Sequence, residues 1–221
     1  MQKFDTPAPV STVLVIPAGR IRLIAEDRTD TTVEILPADP SRSRDVEAAE
    51  QIKTAYADGV LRIEAPKAKT GILGPSGSVE VTVQLPAGSG IEAKTAAAEL
   101  SGVGRLGDVA FDGAHGPVTF DEADAVRLTG LDADVTVVRL NGSAEISTQK
   151  GSIHITEATR GTLTLGTQMG DITVGAARGV SAVLDAGTAY GRVSNTLKNS
   201  GTPALTIHAT TAHGDITAHS L

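Results

Sequence analysis

An apolar–x–apolar triplet recurs about every nine residues from residue 109 onward. It reads Val109-Ala110-Phe111, Val118-Thr119-Phe120, Val126-Arg127-Leu128, Val135-Thr136-Val137, Ala144-Glu145-Ile146, Ile153-His154-Ile155, Leu163-Thr164-Leu165 and Ile172-Thr173-Val174. Alternate side chains of a strand share a face, so the first and third members point inward and the middle one outward. One triplet buries almost nothing, but stacked triplets close a continuous apolar column. The pattern predicts an all-β fold, a β-solenoid (β-helix) built of half-coils of about nine residues. Gly116, Asn141-Gly142, Gly151, Gly161 and Gly170-Asp171 fall between triplets, where tight corners are needed. With two units per coil, Ala110, Arg127, Glu145 and Thr164 face out on one side. Thr119, Thr136, His154 and Thr173, joined by Ser194 and Thr217, face out on the other. Three units per coil is the competing register, and the period does not choose between them. After residue 174 the step grows to eleven or twelve residues, which predicts long corners at 185–190, 196–202 and 208–213.

The first half is β-rich without the period. Alternating patterns predict strands at 10–16, 20–25, 31–36, 51–57, 60–65 and 78–85, with a helical turn or two near 43–50. Asp58-Gly59 predicts a two-residue hairpin turn, because both positions of a type I′ turn need φ > 0. Ile16-Pro17-Ala18-Gly19 and Leu85-Pro86-Ala87-Gly88 are near copies in which Pro ends a strand and Gly turns the chain. A solenoid needs its end covered, so residues 1–104 read as an N-terminal β cap and transition, 105–221 as the solenoid, and the whole as one structural unit.

The Leu-Pro-Ala-Gly strand ends and the repeated Gly-Asp/Ser-Ile-x-Val units resemble the bacterial β-strand-repeat family of unknown function catalogued as putative adhesins. The resemblance spans nearly the whole chain. Met1 to Pro7, the turn at Ile16-Pro17-Ala18-Gly19 and Tyr56-Ala57-Asp58-Gly59-Val60-Leu61 resemble its actinobacterial, cytosolic branch. The resemblance implies a β-solenoid and transfers no functional residue.

Composition narrows the function. Only five residues are aromatic: Phe4, Tyr56, Phe111, Phe120 and Tyr190. Stacking platforms for sugars or single-stranded nucleic acid need more rings than that. Phe111 and Phe120 fall at inward positions, which leaves Tyr190 as the candidate exposed ring. The net charge is −7, with 13 basic and 21 acidic residues in 1–134 against 6 and 5 in 135–221. A phosphate-binding stripe is therefore not expected, and nucleic acid is not an expected partner. No stretch has the length and apolarity of a membrane span, and no secretory layout opens the chain, so a cytoplasmic location is expected. There is no cysteine, hence no disulfide and no thiolate chemistry.

Two clusters carry candidate chemistry. His208, His213 and His219 lie close in sequence near the C-terminus and are the candidate metal ligands, though no standard ligand spacing is present. Asp108, Asp112, Asp121, Glu122, Asp124, Asp132 and Asp134 could serve a hard cation or glycoside chemistry, or simply keep corners soluble. The calcium-roll string Gly-Gly-x-Gly-x-Asp, a Gly-x-Ser-x-Gly elbow and a phosphate loop are all absent. The threonine row is interrupted by His154 and reads as strand surface rather than an ice-binding face.

The sequence favours a non-enzymatic β-solenoid scaffold or protein-interaction module, with no catalytic residue and no cofactor. The alternative is an enzyme or a metal- or ligand-binding protein using the corners at 185–214 and the histidines. Only three residues follow Ile216-Thr217-Ala218, so the last coil is expected to lie open. That predicts a homo-oligomer through the C-terminal coil edge, or an unknown protein partner there, with Leu205, Ile216 and His219 at the contact.

Overall fold

The computed structural model describes residues 1–66 and 77–221. Their strands stack into two hydrogen-bonded faces around one apolar column. The register is two units per coil. Ala144 pairs with Val126 on one side and Leu163 on the other, 18 and 19 residues away. Ile153 pairs likewise with Val135 and Ile172. Every coil-to-coil pairing from β2 (Ser11–Glu26) onward is parallel, as a solenoid requires.

β2 is already a full coil. Its inward Leu14, Ile16, Ile21 and Leu23 are completely buried. β2 lies in parallel register on β7 (Gly90–His115), Ser11 opposite Gly90 through Ala25 opposite Gly104. β7 runs through residue 104 without a break and winds past a full coil, with Gly107 N–H donating to the Ser89 carbonyl (2.9 Å). The coils then follow as β8 (Val118–Asp132), β9 (Val135–Leu140), β10 (Ala144–Lys150), β11 (Ile153–Ala158), β12 (Gly161–Met169) and β13 (Ile172–Ala176).

The N-terminal end is closed by short strands, two of them parallel on β2 and the rest antiparallel on those. β5 (Val60–Glu64) and β6 (Val79–Pro86) cover β2, and β4 (Lys53–Ala57) and β3 (Asp30–Pro37) cover them in turn. β1 (Gln2–Asp5) pairs with β3. Asp58 (φ 51°) and Gly59 (φ 75°) form the expected hairpin turn between β4 and β5. Helix α1 (Ser43–Gln51) packs on β3 and β6. Its buried Asp45 accepts the N–H groups of Asp39 (3.2 Å) and Ser78 (2.9 Å), tying two loops to the cap.

The far end departs from the expected order. The chain leaves β13, skips one level and forms β14 (Ala182–Tyr190) and β15 (Val193–Thr196). It then returns and inserts β16 (Leu205–His213) and β17 (Ile216–Ser220) into the empty level. β16 therefore pairs with β12 on one side and β14 on the other, and β17 sits between β13 and β15. Two levels are about 10 Å, well within reach of the five residues 177–181. The expected open edge at 205–221 does not exist. Leu205 is fully buried, Ile216 is 1% exposed, and the coil 182–196 covers them. The expected corners at 185–190 and 208–213 are also strand. Thr188 and Thr211 face inward there, whereas Thr210 is exposed.

Candidate interaction surface at the terminal coil

Corners and outer faces are held by short ladders of polar contacts that run from coil to coil. Thr167 Oγ1 donates to the Gly151 carbonyl, Thr211 Oγ1 to that of Gly170 and Thr188 Oγ1 to that of Gly214, each at 3.0 Å. On the same corner, side-chain oxygens accept the next coil's N–H. Asp134 takes Ser152 (2.8 Å), Ser152 takes Asp171 (3.2 Å), Asp171 takes Asp215 (2.7 Å) and Asp215 takes Arg192 (2.8 Å). The N–H and the guanidinium of Arg192 hold the Asp215 carboxyl below the usual carboxylate range.

Five of the seven residues of the acidic cluster, all but Asp108 and Asp112, are engaged by the same logic. Asn141 donates to Glu122 (2.7 Å) and Asp124 (3.2 Å), and Arg105 pairs with Asp124 (3.4 Å). Lys150 pairs with Asp132 (3.3 Å), and Asp121 accepts the Gly104 N–H (3.1 Å). Arg105, Glu122, Arg139 and Glu157 stand in successive register positions, opposite charges facing each other. Exposed pairs contribute ~0.2–1 kcal/mol each. Their effect is to favour the observed register, because a slip would take Glu122 and Glu157 away from Arg139 and set them opposite uncharged residues.

The histidines do not converge. His208 stands between Thr164 and Asp185 on the outer face, its Nδ1 3.3 Å from the Asp185 carboxylate. His213 stacks on Tyr190 with ring centroids 4.8 Å apart and planes 4° apart. His219 is half-buried between Gly175 and Thr196. Among the described residues no three His, Asp or Glu side chains are grouped to hold a metal ion. A shallow depression of about 650 Å³ crosses the outer face around Glu92, Ala110, Arg127 and Glu145, and the Arg127–Glu145 pair (3.2 Å) occupies it.

The terminal coil differs from the coils below it. Among the described residues β14 and β15 each pair with one neighbour only, so one edge of each is bare. Among the described residues nothing is stacked above the inward positions of this coil. Val193 is 47% exposed, and Leu184 and Ala186 are only partly buried, although Ile216, Ile207 and Ala209, their equivalents one coil below, are sealed. Tyr190, 71% exposed, stands at its corner. Sequence reasoning singled out Tyr190 but missed Leu184, Ala186 and Val193, because it took Leu205 and Ile216 for the last inward pairs.

The model of one protein family, Toastrack DUF4097, matches residues 15–220. The chain belongs to this family. The function of the family is unknown. No curated protein matches the chain. A putative adhesin from Bacteroides fragilis has a similar fold, with a TM-score of 0.60 at 17% identity over 98% of this chain and 95% of that one. A putative cell adhesion protein from Clostridium sporogenes aligns at a TM-score of 0.41 and 13% identity, over 100% of this chain and 98% of that one. A putative lipid binding protein from Parabacteroides distasonis gives 0.41 and 13%, over 98% and 95%. At 17% identity the likeness to the Bacteroides fragilis protein concerns the fold alone.

Proposed function

We propose that this Toastrack chain is a non-enzymatic interaction module, a rigid solenoid that presents its terminal coil for docking. The observation that carries the reading is the contrast between the two kinds of surface. Outer faces and corners engage their own acids, hydroxyls and cations, whereas the 182–196 coil leaves two strand edges and the end of the apolar column bare. The adhesin name of the Bacteroides fragilis neighbour is in keeping with a binding role.

The test is a metal analysis and an activity screen on purified protein. The expected result is no stoichiometric metal and an unchanged melting temperature in chelator. Bound metal whose removal lowers the melting temperature, or a turnover abolished by His208→Ala or His213→Ala, would overturn the reading.

A further inference from the structure

We propose that the terminal coil docks on the terminal coil of a second copy of this chain, through a two-fold axis perpendicular to the solenoid axis. The proposal rests on the reading of that coil as the interaction surface and names its partner.

The geometry of the open end selects the partner. It offers two bare strands, one on each face, about 10 Å apart, with exposed apolar side chains between them. A single extended peptide could pair with one strand and would leave the other strand and Val193, Leu184 and Ala186 uncovered. A second terminal coil supplies two strands at the same separation by construction. The two-fold turns each one antiparallel to its counterpart, so both edges are satisfied at once.

Strand lengths fix which pairs with which. β14 has nine residues and β15 four. Pairing β14 with β14 and β15 with β15 matches both lengths, whereas β14 on β15 would waste more than half of the longer edge. The centre of β14 is Gly187. Pairing about it sets Asp185 opposite Ala189 and Ala186 opposite Thr188, with no like charges face to face. β14 carries no Lys, Arg or Pro, the residues that guard an edge. The other end of the molecule is guarded. Its outer strands β1 and β4 have four and five residues and carry Lys3 and Lys53, and it does not invite the terminal coil into a head-to-tail filament.

The contact is small. Nine residues at about 3.3 Å each, by about 10 Å between faces, give a footprint of roughly 300 Å² per copy. That is below the size of permanent interfaces, so the dimer is reversible and forms at micromolar concentration or above.

The absence of cysteine makes the test direct. An added Cβ at Gly187 meets no atom within 4 Å, so Gly187→Cys fits without disturbing the fold. Under mild oxidation it is expected to give disulfide-linked dimers, since opposed residues of an antiparallel pair lie within disulfide reach. Ala55→Cys, on β4 at the guarded end, is expected to stay monomeric. Sedimentation should show concentration-dependent dimers for the unmodified chain. Val193→Lys should weaken them at least tenfold, with a melting temperature within about two degrees of the parent at low concentration. A strict monomer at millimolar concentration, or Gly187→Cys cross-linking no better than Ala55→Cys, overturns the proposal. So does a filament in which Gly187→Cys and Ala55→Cys cross-link to each other when mixed. None of these results touches the interaction reading itself, which falls to the metal or turnover result above.

Discussion

At the scale of single residues, the chain separates positions that hold the fold from positions that hold the register. Asp30 shows the second kind. Arg28 (3.0 Å) and Lys3 (2.9 Å) hydrogen-bond its carboxylate and lower its pKa from 3.8 to about 2. A carboxyl with a depressed folded-state pKa adds stability that is complete above its unfolded value. That stability is lost as the pH falls through the folded one. Asp30 should therefore stabilise the cap at neutral pH and progressively stop doing so between about pH 4 and about pH 2. Asp30→Asn is expected to lower the melting temperature at pH 7 and to leave it nearly unchanged at pH 2. Equal losses at both pH values would show that the ion pairs contribute nothing.

At the scale of the element, the corner is the unit that repeats. Gly151 (φ 124°), Gly170 and Gly214 (φ 153° each) stack one above the next. A Cβ on Gly214 would lie 2.0 Å from the Gly170 carbonyl oxygen. Both the backbone conformation and the close approach of the coils exclude a side chain there. The threonine ladder anchors the same carbonyls. Gly214→Ala is expected to cost at least ~3 kcal/mol by strain and overpacking. Thr211→Val should cost only ~1 kcal/mol, one buried hydrogen bond. For a domain of this size these are roughly 6–12 and 2–4 °C, separable by calorimetry. If Thr211→Val proves the costlier change, then the hydroxyl ladder, rather than the glycine contact, holds the corner.

At the scale of the whole molecule, the inserted coil is the distinctive device. β16 and β17 each bond to two neighbours, and β14 and β15 reach the rest of the molecule through them. Ending the chain at residue 204 removes that coil and strands the one above it. The expected outcome is local: residues 177–204 become sensitive to protease and their amides exchange freely. Coils up to β13 keep their protection, because a solenoid is stabilised mainly by nearest-neighbour contacts. Full protection of 182–196 in the shortened chain would mean that this coil can drop into the vacant level.

The sequence alone determined the in/out register, and for a local reason. Alternation within a strand fixes which side chains share a face, and Val126, Ile153 and Ile172 are buried where the triplets put them. The Asp58-Gly59 turn was legible for the same kind of reason, since the φ values it needs are a property of those two residues. The stacking order was not legible. Any apolar triplet can lie on any other in parallel, so periodicity says that coils stack without saying which lies on which. Thr188 and Thr211 added to the difficulty, because a buried threonine that donates to a corner carbonyl has the same letter as one in a loop. Which coil ends the column was decided in three dimensions. A five-residue connection is long enough to pass over one level, and the returning segment can satisfy the backbone of both neighbours at once. That choice placed Leu205 and Ile216 in the core and left Leu184, Ala186 and Val193 at the open end.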